Sequence, residues 1–145
     1  MKLLIKIIIF SLFFINKSYG AKIISSLKPI DSLIKMIALD SDEVILASKN
    51  HSPHHYNFKI SDIKIIEDAD IIFYIDKEFE SSFIKSIRIN KKAKKIELIK
   101  AKGLKIYKKR SQRNWESIKT NLKEKNIDEH IWLDKNNAKI ILKII

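Results

Sequence analysis

The sequence predicts an α/β lobe: a four-stranded, largely parallel sheet flanked by helices. Short isoleucine-rich runs alternate with amphipathic stretches along most of the chain. One run, residues 69–75 (Ala-Asp-Ile-Ile-Phe-Tyr-Ile), is apolar almost throughout, which suits a strand covered on both faces. With 145 residues, 46% of them hydrophobic, the chain can build one ordinary core but not two full lobes.

Residues 1–20 stand apart from the rest. Lys2 and Lys6 bracket the start of an apolar run over residues 3–15, and Ser18-Tyr19-Gly20 is a small-x-small pattern just before Ala21. This reads as a secretory leader cut before Ala21. The run is shorter than the roughly 20 apolar residues of a membrane-crossing helix. Cut, or kept as an anchor, such a leader places the remainder outside the cytoplasm. The chain has no cysteine, so neither disulfides nor a lipid-bearing cysteine enter the account.

From residue 21 the elements follow in order. Residues 22–27 read as a first strand. Pro29 opens a helix with Ile30, Leu33, Ile34 and Ile37 on one face. Residues 43–47 form a second strand, and the polar stretch 48–59, with His51, His54 and His55, is a strand-to-helix loop ending where Ser61 can cap a helix carrying Asp62 in its first turn. Residues 69–75 make the third strand, residues 77–87 a helix burying Phe79, Phe83 and Ile87, and residues 94–99 the fourth strand. Residues 100–125 lose clear periodicity and carry ten basic residues against Glu116 and Glu124, which predicts a solvated, mobile connection over about 100–126. Asp134 is placed to cap a last helix from Lys135 onward, apolar to Ile145.

The formal charge of +12 stays strongly positive after Lys2, Lys6 and Lys17 are removed with the leader. The lysines are scattered among isoleucines and asparagines rather than gathered in a stripe, and an exported chain rarely meets nucleic acid, so no nucleic-acid partner is expected. With Gly20 and Gly103 the only glycines, there is no phosphate-cradling loop and no Gly-x-Ser-x-Gly turn. The chain does not read as an enzyme. Acid pairs such as Asp40 and Asp42, or Glu78 and Glu80, sit in lysine-rich surroundings that solvate them.

In doubly wound sheets ligands bind on loops leaving the carboxyl ends of strands, where the loop carrying His51, His54 and His55 belongs. Imidazole suits zinc, whose tetrahedral sites draw donors from segments far apart in sequence. Four histidines without a short fixed spacing do not by themselves assign a site.

Longer motifs do. Ser52-Pro53-His54-His55-Tyr56-Asn57-Phe58-Lys59-Ile60-Ser61-Asp62, then Asp68-Ala69-Asp70-Ile71-Ile72-Phe73, then His130-Ile131-Trp132-Leu133-Asp134, together with Lys28-Pro29 after the first strand, resemble the zinc- and manganese-binding solute-binding proteins of ABC importers. The resemblance runs from about residue 22 to the end. It implies that His54 and His130 are metal ligands from an N-terminal lobe spanning residues 21–134. It also implies that residues 135–145 begin the helix linking to a second lobe, which supplies a further histidine and a carboxylate. Trp132 then anchors the segment and holds His130. Ile60, Glu129 and Lys135 stand where the family has prolines, and the histidine-rich stretch of many zinc members is missing.

The resemblance implies capture of zinc, with manganese as the second choice, in the periplasm for delivery to an inner-membrane ABC permease, by a shortened form that a companion chain with the second lobe would complete. Two other readings remain: a fragment of a split gene without transport function, and a basic exported protein binding anionic polymers or membrane surface through residues 100–125. A shortened lobe would also leave part of the face formed by Ile140, Ile141, Leu142, Ile144 and Ile145 uncovered.

Overall fold

The structure is a computed structural model, and it describes residues 19–47, 58–109, 117–118 and 127–145. Strands β1 (Lys22–Ser25), β2 (Glu43–Leu46), β3 (Ile71–Tyr74) and β4 (Lys94–Glu97) form one sheet in the order β2-β1-β3-β4. Every pairing in it is parallel, with Ile23 opposite Val44 and Ile71, and Phe73 opposite Ile96. All carboxyl ends therefore lie along one edge.

Alternation along the strands decides which helix goes where. Ile23 and Phe73 face one side, with helices α1 (Lys28–Lys35) and α4 (Lys135–Leu142), while Ile24 and Ile72 face the other, with α2 (Ile60–Glu67) and α3 (Ser81–Ile87). On the first side Ile30, Ile34, Phe79, Leu98, Ile131 and Ile141 complete the core; on the second Ile66, Phe83 and Ile87 do. Pro29 opens α1 as expected, but that helix stops at Lys35, and Ile37, expected on its buried face, is 46% exposed.

Two buried asparagines tie the elements together. Asn90 donates to the carbonyls of Ile66, Glu67 and Ala69 at the end of α2 and accepts from the Lys92 and Ala93 amides, so one side chain closes the turn into β4. Asn137 accepts from the Lys105 amide and donates to the Lys105 carbonyl, both at 2.8 Å, pinning α4 to the backbone at Lys105.

Several expectations need correction. Helix α2 begins one residue before Ser61: Lys59 is its N-cap, and Asp62 in the third position accepts the Lys59 amide at 2.9 Å. Residues 100–126 are not one solvated connection. Leu98 and Ile99 lie in a short 3-10 turn (Leu98–Lys100), and they, Leu104 and Ile106 are buried in the core. Strand β5 (Ile106–Lys108) is the centre of a second, antiparallel sheet in the order β6-β5-β7, with β6 (Ser117–Ile118) and β7 (Ile127–Asp128). Residues 110–116 and 119–126 lie outside the described part. On the last helix the expectation holds: Ile141 is fully buried, while Ile140, Ile144 and Ile145 are only partly buried against the same core.

Candidate metal centre

The segment carrying His130 is built by three local constraints. Strand β7 pairs with β5 so that Asp128 lies opposite Tyr107. A 3-10 turn (Ile131–Leu133) follows, burying Ile131 while Leu133 is 76% exposed. Asp134 then caps α4 as expected, accepting the Asn136 amide at 2.8 Å and the Tyr107 hydroxyl at 3.1 Å. Donation by the Asn136 amide, helped by Tyr107, holds the Asp134 carboxyl below the ordinary carboxylate range.

His130 is held from several sides. Its ring Nδ1 lies 2.6 Å from Asp128 Oδ1, and its backbone amide donates to the same oxygen at 3.0 Å. Burial alone would raise the Asp128 carboxyl, but the two contacts from His130 outweigh it, and the group sits below its ordinary value. An ionised carboxylate only accepts, which assigns a proton to Nδ1, so that in the neutral ring the lone pair is on Nε2. The ring also meets Phe79 edge-on at 6.0 Å between centroids and Trp132 at 5.2 Å. Half of the side chain remains exposed, over a cleft of about 440 Å³ lined also by Lys105, Tyr107, Asp128 and Asn137. An imidazole held by a carboxylate and half exposed beside a cleft is the kind of donor a histidine-ligated zinc ion uses.

Phe79 links this arrangement to the sheet edge, because it stands on the turn leaving the carboxyl end of β3. Glu80 secures that turn from beneath, accepting the Ile75 amide at 2.6 Å and the Asp76 amide at 3.1 Å. Burial pushes the Glu80 carboxyl up to about 7, against the lowering effect of the Ser26 hydroxyl and those two amides.

His54, like His51 and His55, lies outside the described residues. Its loop leaves at Ala47, whose amide donates to Ser25 at the end of β1, and returns at Lys59. That departure point is on the same edge as the Phe79 turn, two strands from β3, or about 10 Å away. Among the described residues no three of His, Cys, Asp and Glu gather as a metal cluster. Sequence reasoning missed Asp128. Its signal was available: on an extended segment residues i and i+2 point the same way, so Asp-x-His sets a carboxylate beside the imidazole.

Residues 23–145 match the family described as ZnuA, the periplasmic component A of a zinc-uptake complex. The chain belongs to the ZnuA family. A relative from Rickettsia prowazekii, named only as an uncharacterized protein, is 36% identical over 138 residues, which is 94% of this chain and 40% of the relative. A crystal structure of ZnuA superposes with a TM-score of 0.69 at 21% identity, covering 86% of this chain and 46% of that one. A manganese-bound periplasmic metal-binding protein from Candidatus Liberibacter asiaticus gives 0.64 at 21% identity, covering 86% and 42%. The chain thus spans less than half the length of these relatives, and it shares the fold of the part of the two structures on which it superposes.

The departures from the ZnuA-like motif have local explanations. Ile60 and Lys135 are the first residues of α2 and α4, where proline is favoured but its missing N–H is no gain over another residue. Glu129 is buried and pairs with Lys109 at 2.8 Å, so the third replaced proline leaves an ion pair behind β7.

Proposed function

We propose that this lobe captures zinc in the periplasm, with manganese as the weaker alternative, and passes it to the permease of an ATP-driven importer. Nε2 of His130 and the imidazole of His54 bind the ion, and Asp128 keeps His130 in the binding tautomer. The observation that carries the reading is the His130–Asp128 pair, open to the cleft, in a chain of the ZnuA family. The remaining donors belong to a second lobe, on the same polypeptide or a companion chain. Capture and release need no covalent step, so the protein acts as a receptor and not as an enzyme. A leader removed before Ala21 brings it to this compartment.

With two imidazoles and water completing the sphere, much of the roughly 10–16 kcal/mol of a full structural zinc site is absent, and the chain by itself binds zinc in the micromolar range. Isothermal titration of zinc into the whole chain tests this. One ion per chain, lost in His130→Ala, supports the reading; unchanged binding in both His54→Ala and His130→Ala overturns it.

A further inference from the structure

The start of the fold carries an arrangement that metal capture does not use. Strand β1 begins at Lys22, one residue after the junction at which the leader is read to end. The Ala21 amide nitrogen donates to Asp42 Oδ1 at 2.8 Å, and the other oxygen of Asp42 accepts the Leu39 amide at 2.9 Å. The turn before β2 therefore presents a carboxylate, rigidly held, to the nitrogen of Ala21. Among the described residues Asp42 has no cationic partner, although Lys22 next to the junction reaches both Glu43, at 3.9 Å, and Asp68, at 3.8 Å.

Gly20 shows how closely this junction is fitted. A Cβ at that position would lie 1.6 Å from the Ser41 carbonyl oxygen and 2.7 Å from the Asp42 nitrogen. The chain preceding Ala21 passes over the turn against its backbone, and only glycine can occupy that path. Tyr19, one residue earlier, is already exposed.

We propose that Asp42 is a receptor for the α-ammonium group that leader removal creates at Ala21. The proposal rests on the reading that the leader is cut before Ala21. In that hydrolysis the oxygen of water ends on the Gly20 carbonyl carbon and the Gly20–Ala21 C–N bond breaks. Gly20 departs with the leader as a carboxylate, and the Ala21 nitrogen takes up protons to become an ammonium. The nitrogen stays where the amide was, 2.8 Å from Asp42 Oδ1, and a neutral hydrogen bond becomes a charge-assisted one. The other charges facing it are Glu43, whose amide donates to the Ala21 carbonyl, Lys22 on its own strand, and Asp70, which accepts the Lys22 amide. Lys22 is balanced by Glu43 and Asp68, so the added positive charge meets an unbalanced carboxylate. Processing thus locks the edge where β1 and β2 begin.

The test uses the full chain, exported and processed in bacterial cells. Intact mass reads the first residue, and the α-amine is titrated by NMR after reductive methylation with labelled formaldehyde. A start at Ala21 is expected, with the α-amine titrating roughly one unit above its ordinary value of about 8. Asp42→Asn keeps an acceptor oxygen but should return the titration to about 8, while Glu43→Gln should leave it raised. The same chain retaining Gly20 keeps Asp42 and the fold, and its displaced amine should also titrate near 8. A start at any other residue overturns the leader reading and the proposal together. A start at Ala21 with equal titration in the processed chain and the chain retaining Gly20 overturns the proposal alone.

Discussion

Replacing Glu80 by glutamine should leave stability nearly unchanged at pH 5 and raise it at pH 8 to 9. Glu80 is 1% exposed, and burial lifts its carboxyl from 4.5 in the unfolded chain to about 7 in the fold. The folded state thus holds this proton more tightly than the unfolded state does. The resulting stabilisation is fully present below pH 4.5 and is lost as pH rises through about 7. At about 1.4 kcal/mol per pKa unit, the folded protein above that pH carries a buried carboxylate costing about 3 kcal/mol. A glutamine carbonyl still accepts from the Ile75 and Asp76 amides and never ionises. Urea unfolding of both proteins from pH 5 to 9 measures the difference, in which all other titrating groups cancel. The midpoint of Glu80→Gln should move ahead of the parent by on the order of 1–2 M across this range. A constant gap between the two proteins, or a parent that gains on the variant as pH rises, would refute the assignment of the raised carboxyl to Glu80.

Calorimetric zinc titrations of His54→Ala, His130→Ala and His51→Ala should show strong losses for the first two and little change for the third; equal effects in all three would remove the ligand assignment. Asp128→Asn should weaken zinc by about 10- to 100-fold while leaving the fold intact, because an amide no longer selects the Nδ1–H tautomer of His130; chelator competition reads the loss, and unaltered affinity would make Asp128 a bystander. Asn137→Ala strips both hydrogen bonds from the Lys105 backbone and should cost about 2–4 kcal/mol in urea unfolding. Faster amide exchange at Lys105 would locate that loss, and its absence would contradict the pinning role.

The four parallel strands were readable because apolar runs of strand length are a local property, and a run such as residues 69–75 has few other fates. The caps were partly readable: Asp134 caps α4 through its own side chain, whereas α2 starts at Ile60 behind Lys59, an N-cap residue with no side-chain cap hydrogen bond, and relies on Asp62 reaching back. Residues 100–109 misled because lysines hide the apolar positions among them. Leu98, Ile99, Leu104 and Ile106 are too irregularly spaced to show a period, and their burial comes from partners far along the chain, such as Ile131 and Ile141.

For the candidate site, the two proposed ligands, His54 and His130, came from the motifs alone. His54 and His130 are separated by 75 intervening residues, and nothing local says that their segments meet. Tertiary structure places the flanks of the His54 loop and the Phe79 turn on one edge of a parallel sheet and seats the His130 ring against Phe79. It also set the surroundings of His130: β7 pairs with β5, Asp128 lies against the imidazole Nδ1, and the ring stands at the wall of the cleft. Residue types and their order along the chain determine which elements form and which atoms are able to bind a metal. The direction an imidazole lone pair takes cannot be read there, because it depends on strand pairings and side-chain contacts between segments that only folding brings together.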